Sequence, residues 1–351
     1  MSVKTNIQII NKLIGVIAII TSMGITLASC ERMFEDLDPC PHGVKLRFVY
    51  DYNMEWANAF PSQVDCLTLY IYDDNGAYVD TRVVTGDELR DEDYRMTLDL
   101  EPGSYSFVAY GGIACDDATF SVTQEPGKGS MLTGLGVAMD LSVVNAAEPA
   151  SRRLHDLFWG TLTAETADNY TEATVEMMKD TNNIRIVLQQ QSGESVDCDD
   201  FDISIIDNNS LFAYDNTLVT DDVEPVVYRP WSSGEVRAGV SIVGDNVVPQ
   251  DVMVAFAELS VSRIMKGNSP RLLITRRADG GVVVDFPIVN YLVMLRSDRY
   301  AYPPYNLTDD QEYLDRESDY AMVFFLRPDN TWIDTRIVVN DWVVRINDSE
   351  F

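Results

Sequence analysis

Short alternating segments separated by turn residues constrain the fold of this chain more than any other feature of its sequence. Residues 67–72 (LTLYIY) and 78–84 (YVDTRVV) flank the segment Asp73-Asp74-Asn75-Gly76-Ala77. Asn-Gly between two β-rich segments is a strong hairpin signal, because both residues tolerate a positive φ. The sequence therefore predicts a β-hairpin centred on Asn75 and Gly76.

The same kind of pattern continues to the end of the chain. Residues 94–100 (YRMTLDL) and 104–110 (SYSFVAY) flank Glu101-Pro102-Gly103, which fits a type II turn and predicts a second hairpin. Only residues 288–296 and 309–316 read as helices, the second of them starting at Thr308. Further strands are predicted at 44–50, 174–179, 184–190, 201–206, 226–228, 247–261, 271–276, 282–286, 320–327, 331–339 and 341–346.

Many short strands with regular turns predict an all-β fold made of β-sandwiches with minor helix. The length suits two tandem domains, which we place at residues 44–165 and 166–351. Residues 124–152 are rich in Gly, Ala and Ser and are interpreted as a loop region with one short apolar piece around 131–144.

The N-terminus reads as an export signal. Lys4 and Lys12 precede an uncharged segment, residues 13–28, which is shorter than the ~20 residues of a membrane-spanning helix. Leu27-Ala28-Ser29-Cys30 then resembles a bacterial lipobox, in which the cysteine is acylated and becomes the new N-terminus. We therefore predict a signal peptide at residues 1–29, lipidation of Cys30 and an acidic tether at 30–43; an ordinary signal peptide with an accidental cysteine is the alternative.

The net charge of the chain disfavours negatively charged binding partners. The formal net charge is −30 at pH 7. Nucleic acid and anionic lipid would be repelled by such a protein, so neither is an expected partner. Attachment through an acyl chain on Cys30 does not require a basic patch.

The remaining cysteines are Cys40, Cys66, Cys115 and Cys198. An exported chain can form disulfides, and four cysteines allow three full pairings among which the sequence does not choose. Free buried thiols are equally compatible with the sequence. A nucleophilic cysteine is not expected, because aspartates adjoin Cys115 and Cys198 and disfavour the thiolate.

The sequence contains no catalytic pattern that we can identify, and we predict no enzyme, cofactor or metal site. The two histidines, His42 and His155, lie in no metal-binding motif, and no nucleophile elbow or phosphate-binding glycine loop occurs. Acidic clusters at 73–76, 197–200 and 221–222 could bind Ca²⁺, but none has EF-hand spacing. Solvated turns are the simpler interpretation.

From Cys40 onward the chain resembles the fimbrillin-associated anchor lipoproteins of Bacteroidota-type fimbriae (the FimB/Mfa family). The resemblance covers nearly the whole mature chain. The segments that carry it, in order, are Cys40-Pro41-His42-Gly43, Tyr50-Asp51-Tyr52-Asn53-Met54, Ala59-Phe60, residues 67–79, residues 98–112, residues 311–317 and Ile337-Val338-Val339-Asn340-Asp341-Trp342.

The resemblance implies two transthyretin-like sandwich domains and a non-catalytic structural role in adhesion or biofilm formation at the outer membrane. Its expected partners are fimbrial stalk or accessory subunits and, through acylated Cys30, the membrane lipid. Acidic residues that follow Cys30 resemble signals for export to the cell surface, although Arg32 interrupts them.

The terminal strand segment, residues 331–346, is the candidate for contact with another subunit. An exposed strand edge can accept a further strand through backbone hydrogen bonds. The alternative is that this segment only completes the second sandwich. A different function, that of a surface glycan-binding lipoprotein in a polysaccharide-uptake system, would require an exposed aromatic platform. The candidate contact residues are Trp332, Ile337, Val339, Trp342 and Val344.

Overall fold

The computed structural model describes residues 42–144, 152–243, 246–294, 296, 298–339 and 342–345. They form an all-β protein of several sheets with short helices, which confirms the predicted fold class. Within these ranges no helix is both long and apolar enough to cross a membrane. The predicted signal peptide, Cys30 and most of the acidic tether lie outside the described residues.

Seven strands form the first sheet, in the order β3-β2-β5-β8-β9-β1-β4. All neighbours are antiparallel except β1 and β9, which run parallel. The bounds are β1 Gly43–Val49, β2 Leu67–Tyr72, β3 Tyr78–Val84, β4 Met96–Asp99, β5 Gly103–Gly111, β8 Phe158–Thr166 and β9 Tyr170–Lys179.

This sheet folds back on itself and encloses a core. Alternate residues of β1, such as Leu46 and Phe48, and of β2, such as Leu69, belong to one buried apolar cluster. The cluster also includes Phe60 of the short helix α1 (Phe60–Gln63), whose ring stacks on Phe48 at 5.8 Å between centroids. The two-residue period of the strands therefore directs one face of each inward, as in a sandwich.

The first predicted hairpin is confirmed and the second is wrong. β2 pairs with β3, and in the turn Asp73 Oδ1 accepts hydrogen bonds from the backbone N–H groups of Asn75 and Ala77, while Gly76 has φ +75°. In contrast, β4 pairs with β1, and β5 pairs with β2 and β8. β4 and β5 are thus four positions apart in the sheet, although Leu98 of β4 and Phe107 of β5 belong to the same buried cluster.

A three-stranded sheet joins the two halves of the chain, in the order β12-β7-β6. β6 (Phe120–Val122) and β7 (Gly136–Met139) come from the first half, and β12 (Leu211–Ala213) comes from the second. The region interpreted as a loop therefore contains a strand. A buried apolar cluster continues from Tyr70 and Tyr110 through these strands into the second half.

The second half contains a six-stranded sheet, β14-β15-β10-β18-β19-β20, and a four-stranded sheet, β13-β11-β16-β17. Their facing residues form one core, which includes Ile186, Ile205, Ile274 and Phe324. The bounds are β10 Thr181–Gln190, β11 Phe201–Asp207, β13 Val226–Tyr228, β14 Ser232–Val243, β15 Asn246–Ser262, β16 Arg271–Arg276, β17 Val282–Pro287, β18 Asp319–Leu326, β19 Trp332–Val339 and β20 Trp342–Arg345.

Both predicted helices are present but short. α2 spans Val289–Val293 and α3 spans Asp310–Arg316. The helix α3 begins one residue later than predicted, because Asp309 rather than Thr308 is its N-cap and accepts a hydrogen bond from the N–H of Glu312 at 2.9 Å.

The change from the first sheet to the second half falls at Asp180, between β9 and β10. The boundary predicted between residues 165 and 166 falls at the last residue of β8 and puts β9 in the other domain, yet β8 and β9 pair and share the first sheet. The division into two domains stays a prediction. If it holds, the pairing of β8 with β9 places its boundary at Asp180.

Candidate subunit-contact edge and the junction between the halves

The terminal hairpin β19–β20 lies at one edge of the six-stranded sheet. Among the described residues, β20 pairs with β19 and with no further strand. Its outer edge thus presents backbone donors and acceptors of the kind that accept an added strand. The predicted contact segment therefore does lie at a sheet edge.

Four of the predicted contact residues pair with one another across this hairpin. Ile337 lies opposite Val344, and Val339 lies opposite Trp342. On β18, the partner of Ile337 is Phe324, which is fully buried.

The fifth residue, Trp332, is half-buried and packs against the core. Its ring lies 5.5 Å from that of Phe324 and 5.7 Å from that of Phe286, between centroids. These contacts agree with a role in completing the second sandwich. Subunit contact through the five residues stays a prediction, and it would use the backbone edge of β20.

A buried ionic cluster lies where the first sheet ends and the second half begins. Arg263 donates hydrogen bonds to both oxygens of Asp315 at 2.8 and 2.7 Å, and its Nε lies 3.8 Å from Oδ1 of Asp180. Asn216 donates to the same Oδ1 at 2.9 Å. The cluster joins the β9–β10 junction, the end of β15, the turn after β12 and helix α3.

Two carboxylates in this cluster share one guanidinium. Burial raises the pKa of Asp180 to about 7, despite the lowering effects of Arg263 and Asn216. Burial also acts to lower the pKa of Arg263, but the hydrogen bonds to Asp315 and the charge of Asp180 outweigh burial and raise it. Asp180 is therefore an acid that takes up a proton near neutral pH.

We expect the free energy of unfolding to fall as the pH rises from 5 to 8. Asp180 binds a proton more tightly in the folded protein (pKa about 7) than in the unfolded chain (3.8). The stabilisation of the folded state by this proton is therefore complete below pH 4 and lost above pH 7. The loss between pH 5 and 8 is on the order of 2–3 kcal/mol from this group. Urea unfolding at both pH values measures it.

The matched variants are Asp180→Asn and Asp168→Asn. Asp180→Asn should reduce the pH dependence, whereas the exposed Asp168 should leave it unchanged. Burial also raises the pKa of Asp207 to about 7, so a smaller fall with the same sign should remain in the Asp180→Asn variant. An equal pH dependence in the wild type and in Asp180→Asn would contradict this assignment.

An aromatic stack fastens the loop after β1 to helix α3. The Arg316 guanidinium lies 3.8 Å from the ring centroid of Trp56 and 4.1 Å from that of Tyr52. Trp56 also packs against Tyr305 at 5.4 Å and has a positive φ of 54°, which is unusual for a bulky residue. The stack therefore holds the loop after β1 against the second half, whereas the ionic cluster connects the β9–β10 junction with the end of β15 and helix α3.

Among the described residues, the cysteines form one disulfide. Cys66 and Cys115 are bonded, with 5.5 Å between their Cα atoms, and Cys198 is free and half-buried. Cys40 lies outside the described residues. No three His, Cys, Asp or Glu side chains converge as a metal site within the part of the chain that the structure describes.

Sequence reasoning missed the ionic cluster and the aromatic stack. Asp180, Arg263 and Asp315 are far apart in sequence, and each stands in a different local pattern. The only available signal was a charged residue directly after an alternating strand. An exposed turn begins with the same pattern, so this signal does not identify a buried ion pair. Pairing over such distances has no signature in a single sequence.

Comparison with known proteins identifies the family. The family model of the fimbrillin-A associated anchor proteins Mfa1 and Mfa2 matches residues 37–348. No curated protein matches the chain. A candidate adhesin from Bacteroides thetaiotaomicron is 53% identical, with a TM-score of 0.79, and the match covers 89% of this chain and 100% of that one.

Two further solved structures are similar. A candidate polysaccharide-binding protein from Bacteroides thetaiotaomicron is 30% identical with a TM-score of 0.70, over 88% of this chain and 100% of that one. The fimbrial anchor protein Mfa2 from Porphyromonas gingivalis shares the fold at 16% identity, with a TM-score of 0.62 over 87% of this chain and 99% of that one. From the family match over most of its length, we conclude that the chain belongs to the fimbrillin-A associated anchor proteins.

Proposed function

We propose that this protein is a non-catalytic, lipid-anchored subunit that attaches an adhesive fimbria to the outer membrane, at the cell surface. The match to the anchor-protein family over residues 37–348 carries the proposal. The net charge of −30 supports a lipid anchor at Cys30, because so acidic a protein has no general electrostatic attraction to an anionic membrane. Its partners are then fimbrial subunits on one side and membrane lipid on the other.

Purification of the intact protein from fimbriated membranes tests the proposal. A tagged full-length chain, extracted with detergent, should bring down fimbrial subunits in amounts that match its own. A chain that lacks residues 336–351 tests whether the terminal hairpin β19–β20 makes the subunit contact. If this variant folds and still retains the subunits, contact through β19–β20 is wrong, and if the wild type retains none, the anchor role is wrong.

A glycan-binding function has weaker support from the geometry. The candidate polysaccharide-binding protein at 30% identity makes this function worth considering. Trp56 and Tyr52, however, already pack against Arg316, and Trp56 contacts Tyr305 as well. A sugar ring needs a free aromatic face, so this stack is better suited to holding the halves together than to binding a glycan.

A further inference from the structure

A cavity of 410 Å³ lies between strand β2 and the loop that joins β6 to β7, residues 123–135. This volume is within the range of pockets that bind small molecules. The buried side chains of Tyr72 and Leu135 line it, and so do the exposed side chains of Gln124 and Lys128. We call it the Tyr72 cavity.

Backbone hydrogen bonds hold the loop on the first hairpin. The carbonyl of Ser130 accepts a hydrogen bond from the N–H of Tyr78 at 2.9 Å, and the N–H of Leu132 donates to the carbonyl of Gly76 at 2.8 Å. The walls of the Tyr72 cavity are therefore in place before any ligand binds. A preformed site loses little conformational entropy on binding, so a few contacts are enough to hold a small ligand.

The hydroxyl group of Tyr72 is a buried polar group without a partner. Tyr72 is 0% exposed, and its Oη forms no hydrogen bond with any residue that the structure describes. A buried hydroxyl without a partner is costly and therefore uncommon in folded proteins. Since Tyr72 lines the cavity, a molecule bound there can supply the missing partner.

The loop adds further hydrogen-bond donors without partners. The N–H of Ser130 donates to the carbonyl of Gly127 at 2.9 Å, and Gly129 has φ +92°, as in a type II turn. Lys128 and Gly129, at the centre of this turn, line the cavity. Within the described ranges, neither their N–H groups nor the Lys128 ammonium has a partner. A ligand with several acceptor oxygens therefore suits the cavity.

The charge around the cavity is opposite in sign to that of the whole chain. The chain has 56 acidic and 26 basic residues, yet none of the described residues that line the cavity is acidic, and Lys128 lines it. Glu125, which is close in sequence, accepts a hydrogen bond from the Tyr70 hydroxyl at 3.5 Å instead. Charges further than about 8 Å away are largely screened in physiological salt, so the local lysine outweighs the distant carboxylates.

A single cation matches a ligand with a single negative charge. A carboxylate carries one charge and two acceptor oxygens. A phosphate group carries about −1.5 to −2 at neutral pH, which one lysine does not balance. The donors and the charge around the cavity therefore favour a carboxylate.

We propose that the Tyr72 cavity binds a small organic carboxylate of the size of one sugar or amino-acid unit. The Lys128 ammonium pairs with the carboxylate, and the Tyr72 hydroxyl and the N–H groups of the turn donate to the oxygens of the ligand. Its apolar atoms pack against Leu135. This site goes beyond the proposed anchor function and belongs to the first half of the chain, whereas the terminal hairpin β19–β20 belongs to the second.

Ligand-observed NMR titration of the full-length protein in detergent tests the site with three probes. Glucuronate should bind with a Kd on the order of 1 mM. Glucose has the same ring without the carboxylate and should bind at least tenfold more weakly. N-acetylalanine has the carboxylate without the sugar ring. Equal binding of glucuronate and N-acetylalanine means that the carboxylate alone is recognised, and tighter binding of glucuronate identifies the ligand as an acidic sugar.

Two tyrosines provide a matched pair of variants. Like Tyr72, Tyr110 has a buried hydroxyl without a partner among the described residues, but Tyr110 does not line the cavity. Tyr72→Phe should weaken the binding of glucuronate about tenfold, because it removes a donor to a charged acceptor. Tyr110→Phe should leave the Kd unchanged. Thermal unfolding should show that both variants are folded.

Lys128 provides a second pair of variants in an exposed position. Lys128→Met should weaken the binding of glucuronate tenfold or more, because it removes the cation that pairs with the carboxylate. Lys128→Arg keeps the charge and should restore most of the affinity. The affinity for glucose should be the same in both variants.

Three results would overturn the proposal. Glucose could bind as tightly as glucuronate, Tyr72→Phe could bind glucuronate as tightly as the wild type, or none of the three probes could bind, in which case the cavity holds only water. The anchor function is tested separately, because cells with Lys128→Met should keep their fimbriae attached. Loss of attachment in that variant would make the cavity part of a fimbrial contact and would contradict a separate ligand site.

Discussion

Cells that carry Cys30→Ala are expected to lose fatty-acid labelling of this protein and its retention in the outer-membrane fraction. Each CH₂ group of an acyl chain buried in lipid contributes ~0.8 kcal/mol, and stable anchoring needs two such chains. The substitution removes the thiol that would carry the lipid. Fimbriae that depend on this anchor should then appear in the medium. Labelling with radioactive palmitate, cell fractionation and counting of shed fimbriae measure the three effects.

Cys198→Ala is the matched control for this experiment. Cys198 is free and lies in the folded part of the chain, so its loss should change neither labelling nor fractionation. If Cys30→Ala keeps its label and stays in the outer membrane, lipidation at Cys30 is wrong. If label is lost while fimbriae remain attached to cells, the protein is lipidated there but does not hold the fimbria.

Arg263→Met should be the most destabilising single substitution of a charged residue that we predict. It leaves Asp180 and Asp315, both almost fully buried, without their shared cation. Removing one partner from a buried ion pair costs about 3–5 kcal/mol, because the remaining charge has neither water nor a counter-ion. The hydrogen bond from Arg263 to the carbonyl of Asn216 at 3.1 Å is lost as well. Urea unfolding measures the change in free energy of unfolding.

The control is Arg271→Met, which breaks an exposed pair with Asp285 and should cost at most about 1 kcal/mol. The defect of Arg263→Met should be smaller at pH 5 than at pH 8, because protonation of Asp180 removes part of the uncompensated charge. Adding Asp315→Asn to Arg263→Met should restore part of the stability. A cost for Arg263→Met no larger than that for Arg271→Met would show that the cluster is not a stabilising junction.

The strand positions were largely predictable, whereas their partners were not. The Asn75-Gly76 hairpin follows from turn chemistry that two adjacent residues encode. Glu101-Pro102-Gly103 looked equally good as a hairpin turn, but β4 and β5 pair with different strands. A turn sequence specifies a change of direction, and the packing of apolar faces into a shared core decides which strand lies alongside.

For the candidate site residues, too, the strand was predictable from the sequence and the contacts were not. Trp332 was recognisable as part of a terminal strand, and its packing on Phe286 and Phe324 became visible only in the fold. The contact of Arg263 with Asp180 and Asp315 could not be predicted, because the three residues lie far apart in the sequence.

The sequence alone determined that this is an all-β chain with a predicted export and lipidation signal ending at Cys30, because strand alternation, turn residues and signal peptides are local patterns. The tertiary structure alone decided that β9 joins the first sheet and that Arg263 lies between Asp180 and Asp315. These features depend on contacts between residues far apart in the chain. Burial and backbone pairing select such contacts, and no local pattern records them.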